Sequence, residues 1–380
     1  MVRSPQACTP AVASVGSVLR VGVSDEEVER YGDRVEWYEP VMRVKNQEPR
    51  RCNMSVSQSF IENKKVLVTG VTGLIGRGLS YLLAKNNEVH GLARFTDPRI
   101  REEVGQWCEK LWRVDAAESG CLREVPRDYD HVFNEAVQWG HKGSDKWETF
   151  EQLTKVNTFF PGQVLEHFGE TGAGLVFGST GGVYRASETR EDLNKEGETI
   201  LEGGSHPYED TKLAGEMLVR YFSREHGVPA TILRYYWPVA PYARGGRAGS
   251  TCRAWLEGIP TRVSRKNPWY HNVGYISDLL YATCAAAGSG SSPPTTYNVS
   301  GRQIVSYREV DLAVAEAMGI EPIFEEVERE RDIPMNLADV EKMAGELWEP
   351  RIGVEGYARR VVRAVRNGIH TPADWMFQWE

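Results

Sequence analysis

The chain has 380 residues, 41% of them hydrophobic, and a formal net charge of −8. That length accommodates one large α/β domain with an added lobe, or two modest domains. The acidic balance argues against nucleic acid or an anionic membrane as the main partner. No apolar run approaches the ~18 residues that cross a bilayer, and six scattered cysteines (Cys8, Cys52, Cys108, Cys121, Cys252, Cys284) without a C-x-x-C pair or a zinc-like Cys/His cluster point to thiols in a reducing, cytoplasmic setting.

Residues 1–60 lack sustained periodicity and carry turn formers and charges throughout, and Ala11 to Leu19 is too short and polar for a signal-peptide core. They are expected to form an extension, disordered or wrapped on the surface, or else an oligomer contact arm. Regular structure begins at Lys65-Val66-Leu67-Val68, a short buried strand. Thr69-Gly70-Val71-Thr72-Gly73-Leu74-Ile75-Gly76 follows, with glycines spaced G-x-x-G-x-x-G, and Leu79, Leu82 and Leu83 then fall at helical spacing. Strand, glycine turn and helix place a diphosphate on a helix N-terminus. The glycines permit a tight turn and close backbone approach. The plainer alternative is a tight βα turn with no ligand.

Further strands are expected at 88–94, 111–115, 131–137, 174–178 and 230–236, with helices at 150–168 and 208–225 between them. This alternation predicts a parallel sheet covered on both faces. Pro238, Pro241, Gly245, Gly246 and Gly249 mark a loop-rich region. A strand and a helix return over 273–287, a strand at 297–299, a helix at 307–318, and the charged tail to Asn367 is helical. The expected division is 1–60 as extension, 61–240 with 272–300 as the dinucleotide-binding domain, and 241–271 with 301–380 as the substrate-binding lobe.

Tyr208-Glu209-Asp210-Thr211-Lys212 has the form Y-x-x-x-K, which puts Tyr208 and Lys212 on one helix face. A phenol titrates near pH 10, too high for acid–base work at neutrality. A nearby ammonium is expected to favour the phenolate, and the lysine can also hold a ribose hydroxyl. Phe177-Gly178-Ser179-Thr180 ends the fifth strand, where ligands of open α/β sheets bind. Thr180 is the first choice for a hydroxyl donor to a substrate oxygen, and Ser179 the second. A chance Tyr/Lys pair and a Ser/Thr turn cap are the plain readings.

These motifs resemble the extended short-chain dehydrogenase/reductases of the NAD-dependent epimerase/dehydratase type, over about Lys64 to Val365. Thr69 to Gly76 matches the family's glycine loop, with Gly70, Thr72, Gly73, Leu74, Ile75 and Gly76 on the cofactor. Asp115 matches the aspartate near the adenine, Asn157 the asparagine of the fourth helix, and Thr180, Tyr208 and Lys212 the catalytic set. Tyr235-Tyr236 behind Arg234 resembles the segment beside the nicotinamide, and Asp278 and Asn298 match late landmarks. The resemblance implies a Rossmann-type doubly wound parallel sheet with a smaller C-terminal lobe. It also implies a homodimer packed through two helices per subunit.

The second strand ends Leu92-Ala93-Arg94, without the acid that binds a ribose 2′-hydroxyl. Arg94 suits a 2′-phosphate, so NADP is favoured over NAD, the alternative being that Arg94 stacks on the adenine. Gly181-Gly182 replaces the acid pair of the sugar dehydratases. Trp237 stands where the epimerases carry asparagine, and His271 aligns roughly with the arginine that grips a substrate diphosphate. Arg253, Arg262, Arg265 and Lys266 are candidate replacements for that charge, or a solvated basic loop; Thr180, Trp237 and Arg253 are the substrate candidates. The function expected is hydride transfer at a secondary carbinol or ketone of a sugar-like or other small carbonyl substrate, net reduction slightly ahead of nucleotide-sugar epimerisation. A non-catalytic dinucleotide sensor or scaffold is the third reading. No metal is expected.

Overall fold

A computed structural model describes residues 60–140, 146–202, 206–264, 268–328 and 335–372, all within one compact unit that spans Met54–Glu380. The expected extension lies outside the described residues except for Phe60, and so do Arg265 and Lys266.

Seven strands form the central sheet: β1 (Lys65–Thr69), β2 (Glu88–Ala93), β3 (Lys110–Arg113), β4 (His131–Asn134), β5 (Gly174–Thr180), β6 (Ala230–Tyr235) and β7 (Thr295–Val299). Their order is β7-β6-β5-β4-β1-β2-β3, and every neighbouring pair is parallel. Chain direction across the sheet reverses between β1 and β4, and the crevice at such a switch point is where open α/β sheets bind ligands. Successive strand residues enter opposite layers. Val66, Val68, Phe133, Val176 and Leu233 join one apolar cluster, whereas Leu67, Leu92, Val132, Leu175 and Ile232 join the other. Burial on both faces explains why these strands read as continuous apolar runs. The architecture is the Rossmann-type doubly wound sheet expected from the sequence.

The flanking helices are α1 (Leu74–Leu83), α2 (Pro98–Val104), α3 (Lys146–Thr154), α4 (Phe160–Phe168) and α5 (Pro207–His226), followed by α6 (Gly246–Leu256), α7 (Ile276–Ala286), α8 (Tyr307–Met318), α9 (Glu341–Glu346) and α10 (Val354–Asn367). Helices α6, α8 and α10 pack on one another. The first apolar cluster continues from the sheet into them through Cys252, Trp255, Val310, Val314 and Val361.

Three differences from the sequence expectation have physical causes. β4 ends at Asn134 rather than at 137, because the Thr69 hydroxyl bonds Asn134 Oδ1 (2.7 Å) and accepts from the Ala136 N–H (3.2 Å), which draws the chain off the ladder. The helix expected at 150–168 is interrupted by a π-helical segment, Lys155–Phe159. Pro161 has no N–H for the Asn157 carbonyl four residues back. That carbonyl instead faces Gly215 of α5, where a Cβ would lie 2.2 Å from it. The region read as loop-rich contains α6. Its glycines lower intrinsic helix propensity, but Gly245 caps it at φ +70° and buried Ala248, Cys252 and Trp255 hold it in place.

Candidate active site

The three loop glycines do different work. A Cβ on Gly70 (φ +65°) would lie 2.6 Å from the Glu135 carbonyl, and one on Gly76 would lie 2.3 Å from the Gly70 carbonyl. Both are demanded by the protein's own packing. Gly73 is exposed, and a Cβ there would meet only the Gly70 carbonyl, at 3.2 Å. Gly73 is also the N-cap of α1: no side chain caps that helix and no acid occupies its first turn. The first N–H groups, at Leu74, Ile75 and Gly76, therefore stay available to an anion. A dinucleotide diphosphate fits this end of the sheet. Thr72 is half-buried beside it.

Arg94 follows β2, is exposed, and has no ion partner among the described residues. Asp115 is half-buried and accepts from the Ala117 N–H at 3.0 Å, a local turn that fixes the segment after β3.

His206 caps α5 in reciprocal fashion. Its ring accepts from the Tyr208 N–H (3.1 Å), and the Glu209 carboxylate accepts from its own N–H (2.9 Å). This places Tyr208 in the first turn and Lys212 one turn later. Tyr208 is 8% exposed and Lys212 only 2%. The Thr180 hydroxyl is in hydrogen-bonding reach of the Tyr208 phenol. The Lys212 Nζ sits 4.3 Å over the Phe177 ring and finds no hydrogen-bond acceptor among the described residues. An ammonium so placed can donate to a ribose hydroxyl. Thr180, Tyr208 and Lys212 thus gather at one edge of the sheet, as expected.

The expected lowering of the phenol's pKa is not found. Burial pushes the Tyr208 phenol above its ordinary range, Glu209 and Glu135 push the same way, and the Thr180 hydroxyl pulls it back only in part. Burial also depresses the Lys212 ammonium, against the opposing pull of Glu135 and Glu216. The lysine faces an aromatic ring, so at rest the phenol keeps its proton.

Ser179, the second choice, is committed elsewhere. Its hydroxyl donates to Glu216 (2.6 Å), which also takes two bonds from Arg234 (2.9 and 2.6 Å) in a buried pair. Asn157 is fully buried and its partners are protein. Its Oδ1 accepts from the Gln138 N–H (2.9 Å), and its Nδ2 donates to the Gln138 carbonyl (3.0 Å) and to Thr211 Oγ1 (3.1 Å). It therefore ties the loop after β4 to the turn between Tyr208 and Lys212. The Tyr235 hydroxyl reaches Glu135 (3.1 Å) and Thr283 (2.9 Å).

On the substrate side, Trp237 adopts φ +46°, is 43% exposed, and meets Trp269 edge-on at 4.6 Å. Trp269 in turn lies against His271 and Tyr307. Burial, with Arg247 beside it, holds His271 neutral by lowering its pKa to about 4. This wall is aromatic, and the Arg247 guanidinium lies 4.8 Å over the Tyr307 ring within it. Arg253 donates to the Arg244 carbonyl at 2.9 Å and is exposed on α6. Two residues escaped the sequence reading. Trp139 stacks on the Tyr208 ring at 4.0 Å and 15°. Glu135 follows β4 directly, and the only signal of it was an acid inside an apolar run at a strand's carboxyl end.

The sequence profile of the NAD dependent epimerase/dehydratase family matches residues 66–300. The chain belongs to that family. It is 23% identical over 325 residues to a UDP-glucuronate 4-epimerase of Thermodesulfobacterium geofontis, covering 80% of this chain and 96% of that one. It is 26% identical over 270 residues to an uncharacterized UDP-glucose epimerase of Bacillus subtilis, covering 67% and 82%. Among solved structures, UDP-glucose 4-epimerase of Thermus thermophilus with NAD superposes with a TM-score of 0.66 at 26% identity, over 80% of this chain and all of that one. UDP-glucuronic acid 4-epimerase of Bacillus cereus, with UDP-glucuronic acid and NAD, gives 0.66 at 21%, again over 80% and 100%. The protein is an enzyme of the extended short-chain dehydrogenase/reductase type.

The two glycines after Thr180 are closely packed. A Cβ on Gly181 would meet the Tyr236 ring at 2.4 Å, and one on Gly182 would meet Glu209 Cγ at 2.6 Å. Among the described residues, no group of His, Cys, Asp or Glu is arranged to hold a metal ion, and no helix is long and apolar enough to cross a membrane.

Proposed function

We propose that this protein is a nucleotide-sugar epimerase that inverts a secondary carbinol and keeps its nicotinamide dinucleotide through turnover. The observation that carries this reading is Lys212, only 2% exposed and with its Nζ over the Phe177 ring, one helical turn from the Tyr208 phenol, which lies within reach of the Thr180 hydroxyl. Tyr208 exchanges the substrate's hydroxyl proton, Thr180 orients the substrate oxygen, and Lys212 holds a ribose hydroxyl and supplies positive charge. Gly73 and the first turn of α1 receive the diphosphate. A bound nicotinamide supplies the hydride acceptor and donor. The slight preference for net reduction rested on the missing diphosphate contacts and on Arg94. The sugar-nucleotide epimerases among the relatives weigh more, and they favour inversion.

The relatives' bound NAD supports NAD as cofactor, while Arg94, exposed and without an ion partner among the described residues, is what speaks for a 2′-phosphate. A binding titration decides: NAD tenfold tighter than NADP would leave Arg94 as an adenine-stacking residue. We also propose a homodimer through the α4–α5 side, where Phe159, Met217 and Tyr221 are exposed, with 61–240 and 272–300 holding the cofactor and the remaining C-terminal segments the sugar. The deciding experiment is incubation with UDP-glucose, UDP-galactose and UDP-glucuronate, followed by proton NMR. Inversion without net change in reduced cofactor is expected. Stoichiometric oxidation of NADPH by a carbonyl substrate, with no inversion, would replace this reading by a reductase.

A further inference from the structure

Trp139 has no role in the chemistry above, yet it lies flat on the phenol that carries that chemistry. The two rings are 4.0 Å apart and 15° from parallel, a stacked contact of the kind aromatic pairs gain from beyond simple burial. They differ in exposure: Tyr208 keeps 8% of its surface and Trp139 keeps 59%. The indole is therefore the outer plate, with solvent beyond it, and the phenol the inner one.

The backbone holds both rings in place. Asn157 is fully buried. Its Oδ1 accepts from the Gln138 N–H (2.9 Å) and its Nδ2 donates to the Gln138 carbonyl (3.0 Å), so it grips the residue before Trp139 on both sides. The same Nδ2 donates to Thr211 Oγ1 (3.1 Å), and the Thr211 hydroxyl donates to the Tyr208 carbonyl (2.9 Å). One amide side chain thus links the peptide before the indole to the peptide that bears the phenol. Gly140 follows Trp139. A Cβ there would lie 2.9 Å from Thr149 Cγ2 of α3 and 3.7 Å from the His206 ring that caps α5, so the chain runs close to both. The Gln138 side chain adds a bond from Nε2 to the Trp139 carbonyl (3.0 Å). A flap moves by φ/ψ changes at hinge residues beside its tip; here the neighbours on both sides are held.

We propose that Trp139 is a positioning residue for Tyr208, whose ring it holds in the orientation that brings the phenol to the Thr180 hydroxyl. The phenol oxygen lies on the χ2 axis, so χ1 sets its place and the ring plane sets the direction of its O–H. Tyrosine χ2 is broad and two-fold, which leaves the plane to be fixed by a neighbour. A plate 4.0 Å away does this, and it also blocks a χ1 swing towards solvent.

The consequence for turnover rests on Tyr208 exchanging the substrate proton, as proposed above. The restraint on its ring does not, so the two can fail separately. The full chain, labelled in its tyrosine rings, is studied by NMR without cofactor or substrate; the Tyr208 signal is the one lost in Tyr208→Phe. In a close-packed stack a ring flips only when its neighbour moves aside. Flipping should be at least about tenfold faster in Trp139→Ala and should return to within about threefold of the parent rate in Trp139→Phe, which keeps a flat ring. Trp139 is mostly exposed, so both variants should fold. With a sugar nucleotide, Trp139→Ala should lower kcat by about 10–10²-fold, while KM and the dinucleotide Kd stay within about twofold. Trp139→Phe should recover most of kcat. Faster flipping in Trp139→Ala, reversed in Trp139→Phe, supports the restraint even if the parent inverts no sugar nucleotide, in which case only the epimerase reading falls. Unchanged flipping in Trp139→Ala would overturn the proposal. So would faster flipping with kcat kept or raised, which would make the indole a cover that substrate displaces.

Discussion

At the cofactor end of the site, Gly70 and Gly76 leave no space for a Cβ, and a bare helix N-terminus faces outward. At the substrate end, Trp237 stands in a backbone conformation that suits asparagine or glycine, and rests its edge on Trp269. The first region is fixed by backbone packing, which allows one residue type at given positions. The second is fixed by contacts between residues 32 apart in sequence, which many side chains could satisfy. A positive φ on tryptophan is backbone strain.

The sharpest break in this comparison is at the chemistry between the two ends. Tyr208→Phe should lower kcat by about 10²–10⁴-fold while the dinucleotide dissociation constant stays within about twofold. Equal rescue of a strain lacking the native activity by this variant would remove the enzymatic role of Tyr208. At the cofactor end, Gly76→Ala forces a Cβ onto the Gly70 carbonyl. A loss of about 1–3 kcal/mol in denaturant unfolding is expected, together with loss of dinucleotide binding; a variant as stable as the parent would refute the packing argument. Arg94→Ala should weaken NADP about tenfold and spare NAD, the removal of one charge-assisted contact. Equal losses for both cofactors would show stacking instead. At the substrate end, Trp237→Asn should relieve the left-handed strain and stabilise the fold by about 1 kcal/mol, while KM for the sugar rises and kcat changes little. A fall in both stability and kcat would mean that Trp237 is structural.

Much of the fold was legible in the residues, because strands buried on both faces must be apolar throughout. Lys65 to Val68 and Ala230 to Tyr236 could scarcely be read otherwise. Tyr208 and Lys212 were legible because helical spacing alone brings them to one face. The remainder depended on tertiary partners. The end of β4 is set by Thr69, 65 residues away. Helix α6 survives its glycines only through burial of Cys252 and Trp255. The choice of Thr180 over Ser179 turns on Glu216, which claims the serine. The state of the phenol depends on tertiary partners too. Spacing places an ammonium nearby, but burial, followed by Glu209 and then Glu135, sets the direction.

The most direct test of hydride return within one site uses a sugar nucleotide deuterated at the carbinol carbon that inverts. The label should be found on the same carbon of the inverted product, with no exchange into water and none in released dinucleotide. Deuterium lost to solvent, or accumulating in free reduced cofactor, would contradict reversible hydride transfer beside Tyr208, Thr180 and Lys212.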